Sequence, residues 1–140
     1  MSFPSPEIQA FASGFPITLL HVAVTLGLLF AGSGVYIMLT PQREVALVRE
    51  GNLAAAVSLA GILLGLAIPL SASLKGSTNL VDLTLWGAAT LIVQLLISRL
   101  ADLVLHRLSR RIQDGEVAAA TVLAAVKIAT GLILGAAVAG

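Results

Sequence analysis

Apolar residues divide the chain into four blocks separated by short polar links. The blocks run roughly from Ile17 to Leu39, Leu53 to Leu74, Val81 to Leu105 and Val117 to Ala139. Each has about the 20 residues that a helix rising about 1.5 Å per residue needs to cross a hydrocarbon core about 30 Å thick. Almost none of them keeps the polar face that a surface helix of a soluble protein turns to water. The pattern predicts an all-α polytopic membrane protein with four transmembrane helices.

An internal repeat organises these blocks. With an offset of 64 residues, EGNLAAAVSLAG (Glu50 to Gly61) lies on DGEVAAATVLAA (Asp114 to Ala125), so that Gly51 matches Gly115 and Ala54 to Ala56 match Ala118 to Ala120. Each half then holds two helices, and both halves enter the membrane in the same sense. A parallel duplication of a two-helix unit is expected, in contrast to the inverted repeats of many secondary transporters. The chain divides into an extracytoplasmic N-terminal segment (1–16), a first two-helix repeat (17–74), an outer loop (75–80) and a second two-helix repeat (81–139).

Composition agrees with a membrane protein: of 140 residues, 58% are apolar and only 11% charged, with a mean hydropathy of +1.02. A soluble domain needs more polar surface than that. The placement of charge says more than its sum. The 40–52 link carries Arg43 and Arg49, the 106–116 link carries Arg107, Arg110 and Arg111, and the other side carries only Lys75. The positive-inside rule puts both basic links in the cytoplasm and both termini outside. Those links are short and lack interleaved aromatics, which argues for lipid headgroup contacts and against nucleic acid. Residues 1–16 contain Glu7 and no Lys or Arg, unlike a cleaved signal peptide, so the first block is expected to be retained as a span. The absence of cysteine excludes disulfides, thiolate metal sites and cysteine nucleophiles.

The link residues suit helix entry. Thr40 is expected to cap a helix begun by Pro41, and Gly51 with Asn52, like Gly115 with Glu116, opens the following span. At the other side, Lys75 to Asn79 reads as a tight turn with a capping residue among Ser77, Thr78 and Asn79. Within the spans, Gly61 with Gly65 and Gly131 with Gly135 form GxxxG pairs, which let helix backbones approach closely. Pro69, followed by Ser71 and Ser73, is expected to kink the second span and free backbone carbonyls. So small a bundle encloses little volume, so a solute path is expected between copies of a homo-oligomer, most simply a dimer.

Polar residues inside the spans carry the candidate chemistry. Lys127 lies near the middle of the last block and Gln94 at a similar depth in the third, where the amide is placed to accept a hydrogen bond from the ammonium. Counted by helix rise, Asp102 and Asp82 each sit about 12 to 16 Å along the membrane normal from Lys127, which leaves the lysine without an acidic partner in the chain. Three readings follow: a lysine facing lipid or an oligomer seam, a lysine lining a polar cavity for an anion, proton or small solute, or a lysine of lowered pKa in catalysis. The last has no accompanying nucleophile, base or metal cluster, so nothing here points to an enzyme. Arg99, Asp102 and His106, spaced by three and four residues, form an ionic cluster at the inner end of the third helix. His21 and His106 lie on opposite sides and make no metal site, and no cofactor motif is present.

The runs REGNLAAAVSLAGILLGLAIPLSASL, WGAATLIVQ (Trp86 to Gln94) and DGEVAAATVLAAVKIATGLILGAA resemble the DUF350, or UPF0719, family of bacterial inner-membrane proteins from about Ile17 onward. The resemblance implies a four-span, multi-pass protein of the inner (cytoplasmic) membrane built from two copies of a short domain, and brings no established catalytic set. Two functional classes stand open. One is an oligomeric channel or transporter-like protein for a small solute or ion. The other is a membrane scaffold or regulatory subunit in an envelope-stress or membrane-maintenance system, presenting its links to a cytoplasmic protein partner.

Overall fold

A computed structural model describes residues 2–40 and 44–140. Among them lie six helices: α1 (Pro6–Leu39), α2 (Glu44–Arg49), α3 (Leu53–Gly76), α4 (Leu80–Val104), α5 (His106–Gln113) and α6 (Val117–Ala139). Four of these, α1, α3, α4 and α6, are long and apolar enough to cross a membrane. The short α2 and α5 lie in the two basic links.

The first span differs from its expected limits. Helix α1 begins at Pro6 and continues through Pro16 for 34 residues, about 51 Å at 1.5 Å per residue and well beyond a core about 30 Å thick. It therefore incorporates most of the segment placed ahead of the membrane. At its other end Thr40 is a C-cap and not the expected N-cap: its backbone N–H bonds the Tyr36 carbonyl at 3.0 Å, and its hydroxyl donates to the carbonyls of Tyr36 and Ile37. Pro41, Gln42 and Arg43, and with them the expected helix start, lie outside the described residues.

Two turns of matching backbone precede α3 and α6. In the first, Gly51 N–H bonds Val48 O and Asn52 N–H bonds Leu47 O; in the second, Gly115 N–H bonds Ile112 O and Glu116 N–H bonds Arg111 O. Both glycines adopt positive φ, 87° and 85°, as helix-ending turns of this kind require. Asn52 then caps α3 by accepting the Ala55 N–H at 3.1 Å. Its amide also donates to the carbonyls of Ile112 and Gln113 at the end of α5. Glu116 makes no side-chain cap and instead pairs with Arg111. Between α3 and α4 only 77–79 are non-helical, with Asn79 capping α4 through the Asp82 N–H at 2.9 Å.

Helix α3 is the centre of the bundle and packs most extensively on α6. The contact follows the small residues. A Cβ added to Gly61 would fall 2.5 Å from the Ala124 Cβ, one added to Gly65 would fall 2.9 Å from the Lys127 carbonyl, and one added to Gly131 would fall 2.5 Å from the Gly65 carbonyl. Gly135 follows against Ile68 and Pro69. Backbones this close gain dispersion along their whole length, which matters where no hydrophobic effect drives helices together. Pro69 lies inside α3, a continuous helix. Lacking an N–H, it leaves the Gly65 carbonyl without its helical donor, and that carbonyl points at Gly131. The neighbouring carbonyls of Ile68 and Pro69 accept from Ser71 and Ser73.

Helix α1 is held least. It buries only Gly32, Ser33 and Tyr36, all in its last third, while Ile8, Phe11, Phe15, Ile17, Leu19 and Leu20 are exposed.

Candidate functional site

The central side chains come from α1, α4 and α6 and meet beside the α3–α6 seam. Lys127 is 1% exposed, so the single chain already encloses it. The reading of a lipid-facing or subunit-seam lysine is corrected by this burial. Its ammonium lies 2.9 Å from Asp102 Oδ1 and also donates to the Tyr36 hydroxyl. Tyr36 in turn donates to Asp102 Oδ2 at 2.7 Å, and its ring centroid is 4.6 Å from the ammonium. A closed triangle of Lys127, Tyr36 and Asp102 results, with the carboxylate accepting from both partners. Hydrogen bonds to an ionised group in so dry a place are the strong kind.

The expected gap of about 12 to 16 Å between Lys127 and Asp102 was a distance between backbone levels. Side chains close it because every Cα–Cβ bond leans toward its own helix N-terminus. The C-terminal end of α4, which carries Asp102, and the start of α6 lie together near the basic links, so Lys127 leans toward that end while Asp102 leans back from it. The long lysine stem covers the remainder.

Gln94 sits beside the lysine in a different way from that expected. It gives its amide N–H to the Lys127 backbone carbonyl at 3.0 Å and to Thr130 Oγ1 at 3.3 Å, and accepts nothing from the ammonium. Its Oε1 has no partner. Arg99 and Asp102 approach at 3.9 Å, a coulombic contact too long for a hydrogen bond. His106 lines the same pocket as Arg99 and Asp102. The glycines Gly61, Gly65, Gly131 and Gly135 lie in the seam, and Gly51, Asn52, Gly115 and Glu116 lie in the two turns already described.

Sequence reasoning missed three participants. Tyr36 hides in an apolar stretch. Glu44 opens α2, is 1% exposed, and accepts from Ser58 Oγ at 3.3 Å while its Oε2 has no partner. Burial raises the Glu44 pKa above the ordinary carboxylate value, against the opposing pull of Lys127 and the Ser58 hydrogen bond. The third is a spacing: Thr90 and Ser98, not singled out before, recur with the already named Gln94 and Asp102 every four residues on one face of α4, and all four are buried. That spacing is visible in the sequence as the i, i+4 pattern of a single helix face. At the end away from the basic links Thr90 lies 3.5 Å from Ser73 of α3. At the other, Asp102 forms part of the wall of a pocket of about 240 Å³ near the basic links. Among the described residues no cluster of His, Asp and Glu is suited to a metal ion.

An apolar four-span bundle enclosing a buried ion pair defines a polytopic integral membrane protein with a polar interior. The chain matches the family described as Domain of Unknown Function (DUF350) over residues 10–138, and it belongs to that family. It is 31% identical over 126 residues to the UPF0719 inner membrane protein YjfL of Escherichia coli K12, covering 90% of each chain. The YjfL protein of Escherichia coli O157:H7 matches to the same extent. No solved structure matches the chain significantly.

Proposed function

We propose that the chain is a transport-class protein of the bacterial inner membrane, an oligomeric channel- or transporter-like unit for a small ion, with Lys127, Asp102 and Tyr36 as its charge-responsive element. One observation carries the reading: the buried Lys127–Asp102 pair continues into the Thr90–Gln94–Ser98 stripe of α4. Charges inside a membrane are costly and concentrate on ion and proton pathways. A buried ion pair is often no more stabilising than apolar residues of the same volume, so stability alone is a weak reason to hold one. Successive stripe residues rise by about 6 Å, a step that one hydrogen-bonded water bridges. Gln94 Oε1 and Ser98 Oγ, both without protein partners, are free to bond such waters. A small ion entering from the pocket would compete for the Asp102 carboxylate and loosen its coulombic hold on the Lys127 ammonium.

The matching turns at Gly51 and Gly115 support a parallel duplication, with α1–α3 and α4–α6 as the two copies. The arginines of the links support an N-out, C-out orientation. The exposed apolar length of α1 supports association of copies through that helix. A second reading, a membrane scaffold or regulatory subunit, draws on the exposed Arg107 and Arg110 of α5 as a surface for a cytoplasmic protein.

Flux through proteoliposomes, measured across pH for the native chain, Lys127→Met and Asp102→Asn, separates the two. Conduction predicts native flux above empty liposomes and its loss in both variants. Native flux no greater than that of empty liposomes for every ion tried favours the scaffold.

A further inference from the structure

The pocket near the basic links has a use that does not depend on conduction. Thr40, Arg99, Asp102, His106, Ser109 and Arg110 line it. The one carboxylate in the wall is shared by Lys127 at 2.9 Å, Tyr36 and, at 3.9 Å, Arg99, so a single negative charge faces the three cations Lys127, Arg99 and Arg110 and the pocket keeps an excess of positive charge. Arg111, one residue further along α5, is neutralised by Glu116; Arg110 has no acidic partner among the described residues. Ser109 is 7% exposed, belongs to the pocket wall, and its Oγ has no hydrogen-bond partner. A buried hydroxyl without a partner beside two arginines lacks an acceptor of negative charge.

We infer that this pocket binds a phosphoryl anion. Guanidinium forks match the oxygens of a phosphate group, and a hydroxyl and an imidazole supply further donors at its edge. The surroundings suit a phospholipid headgroup as well as free phosphate. Leu100, Leu103 and Val104, each more than 60% exposed, form an apolar flank of α4 next to the pocket on which an acyl chain can lie. Basic pockets between helices at this level of a membrane are suited to anionic headgroups.

The test uses the full chain in neutral detergent, titrated with inorganic phosphate in one arm and with short-chain phosphatidylglycerol in the other, short-chain phosphatidylcholine serving as the zwitterionic control. Thermal stabilisation is the readout. Arg110→Gln and Ser109→Ala remove pocket donors, and Arg107→Gln removes a charge from the same helix outside the pocket. The inference predicts saturable binding in at least one anionic arm, weakened about tenfold or more by Arg110→Gln, as for loss of a hydrogen bond to a charged group. Ser109→Ala weakens it less, and Arg107→Gln leaves it unchanged. Binding in the phosphate arm assigns the site to the free anion, and binding in the phosphatidylglycerol arm alone assigns it to a headgroup. Binding in neither arm, or equal weakening by Arg107→Gln and Arg110→Gln, overturns the inference.

Discussion

Helix α6 meets its neighbours in two unlike ways. Toward α3 it presents Ala124, Gly131 and Gly135, and the contact is backbone against backbone. Toward α4 and α1 it presents Lys127, and the contact is ammonium against carboxylate and phenol. The dry seam draws its strength from the absence of side chains and has no adjustable charge. The polar flank holds an ammonium, a carboxylate and a phenol in mutual contact. Close backbone packing and buried charge thus lie on different faces of a single helix.

The largest effect should come from breaking the flank on one side only. Lys127→Met leaves Asp102 buried without its cation, and about 3–5 kcal/mol of stability should be lost. Adding Asp102→Leu should restore most of it, a recovery that unfolding in graded denaturing detergent would measure. If the double variant is as unstable as the single one, the pair contributes fold stability that apolar packing cannot replace. The seam should yield next. Gly131→Ala forces a methyl group to 2.5 Å from the Gly65 carbonyl, and the separation needed to relieve it should cost about 1–3 kcal/mol. Gly27→Ala meets nothing within 4 Å and should be neutral or stabilising by up to about 1 kcal/mol. A gain at both positions would mean that helix propensity, and not close approach, sets their roles.

The smallest effect concerns pH. Glu44 has its pKa raised from 4.5 by burial, so the folded chain holds this proton more tightly than the unfolded chain does. Its contribution is fully present below about 4.5 and declines as pH rises through the raised value. Stability followed from pH 4 upward should therefore fall more steeply in the native chain than in Glu44→Gln. Parallel curves would show that the flank tolerates an ionised Glu44.

The four spans were legible because length and apolarity decide them, and those are local properties. The glycines of the seam were legible through spacing, although nothing in the sequence named α3 and α6 as partners. Lys127 stood out as the lone charge of its block, but its partners did not. Asp102 was placed out of reach by counting backbone rise without the lean of the side chains. Tyr36 was concealed by its apolar neighbours, and Glu44 by its position in a link that reads as solvent-exposed. Which face of a helix is enclosed depends on residues more than 60 positions away, as the Tyr36–Asp102 hydrogen bond shows.

The tie from Asn52 to the carbonyls of Ile112 and Gln113 also bears on the order in which the protein can be made. When α3 leaves the ribosome, the residues that complete its cap and fill its glycine groove have not been synthesised. From Gly65 to Gly131 a further 66 residues must follow, about 3 to 13 s at 5–20 residues per second. During that interval the first half waits in the membrane with its groove open. Helix α6, inserted after α3, is therefore the one that closes the groove.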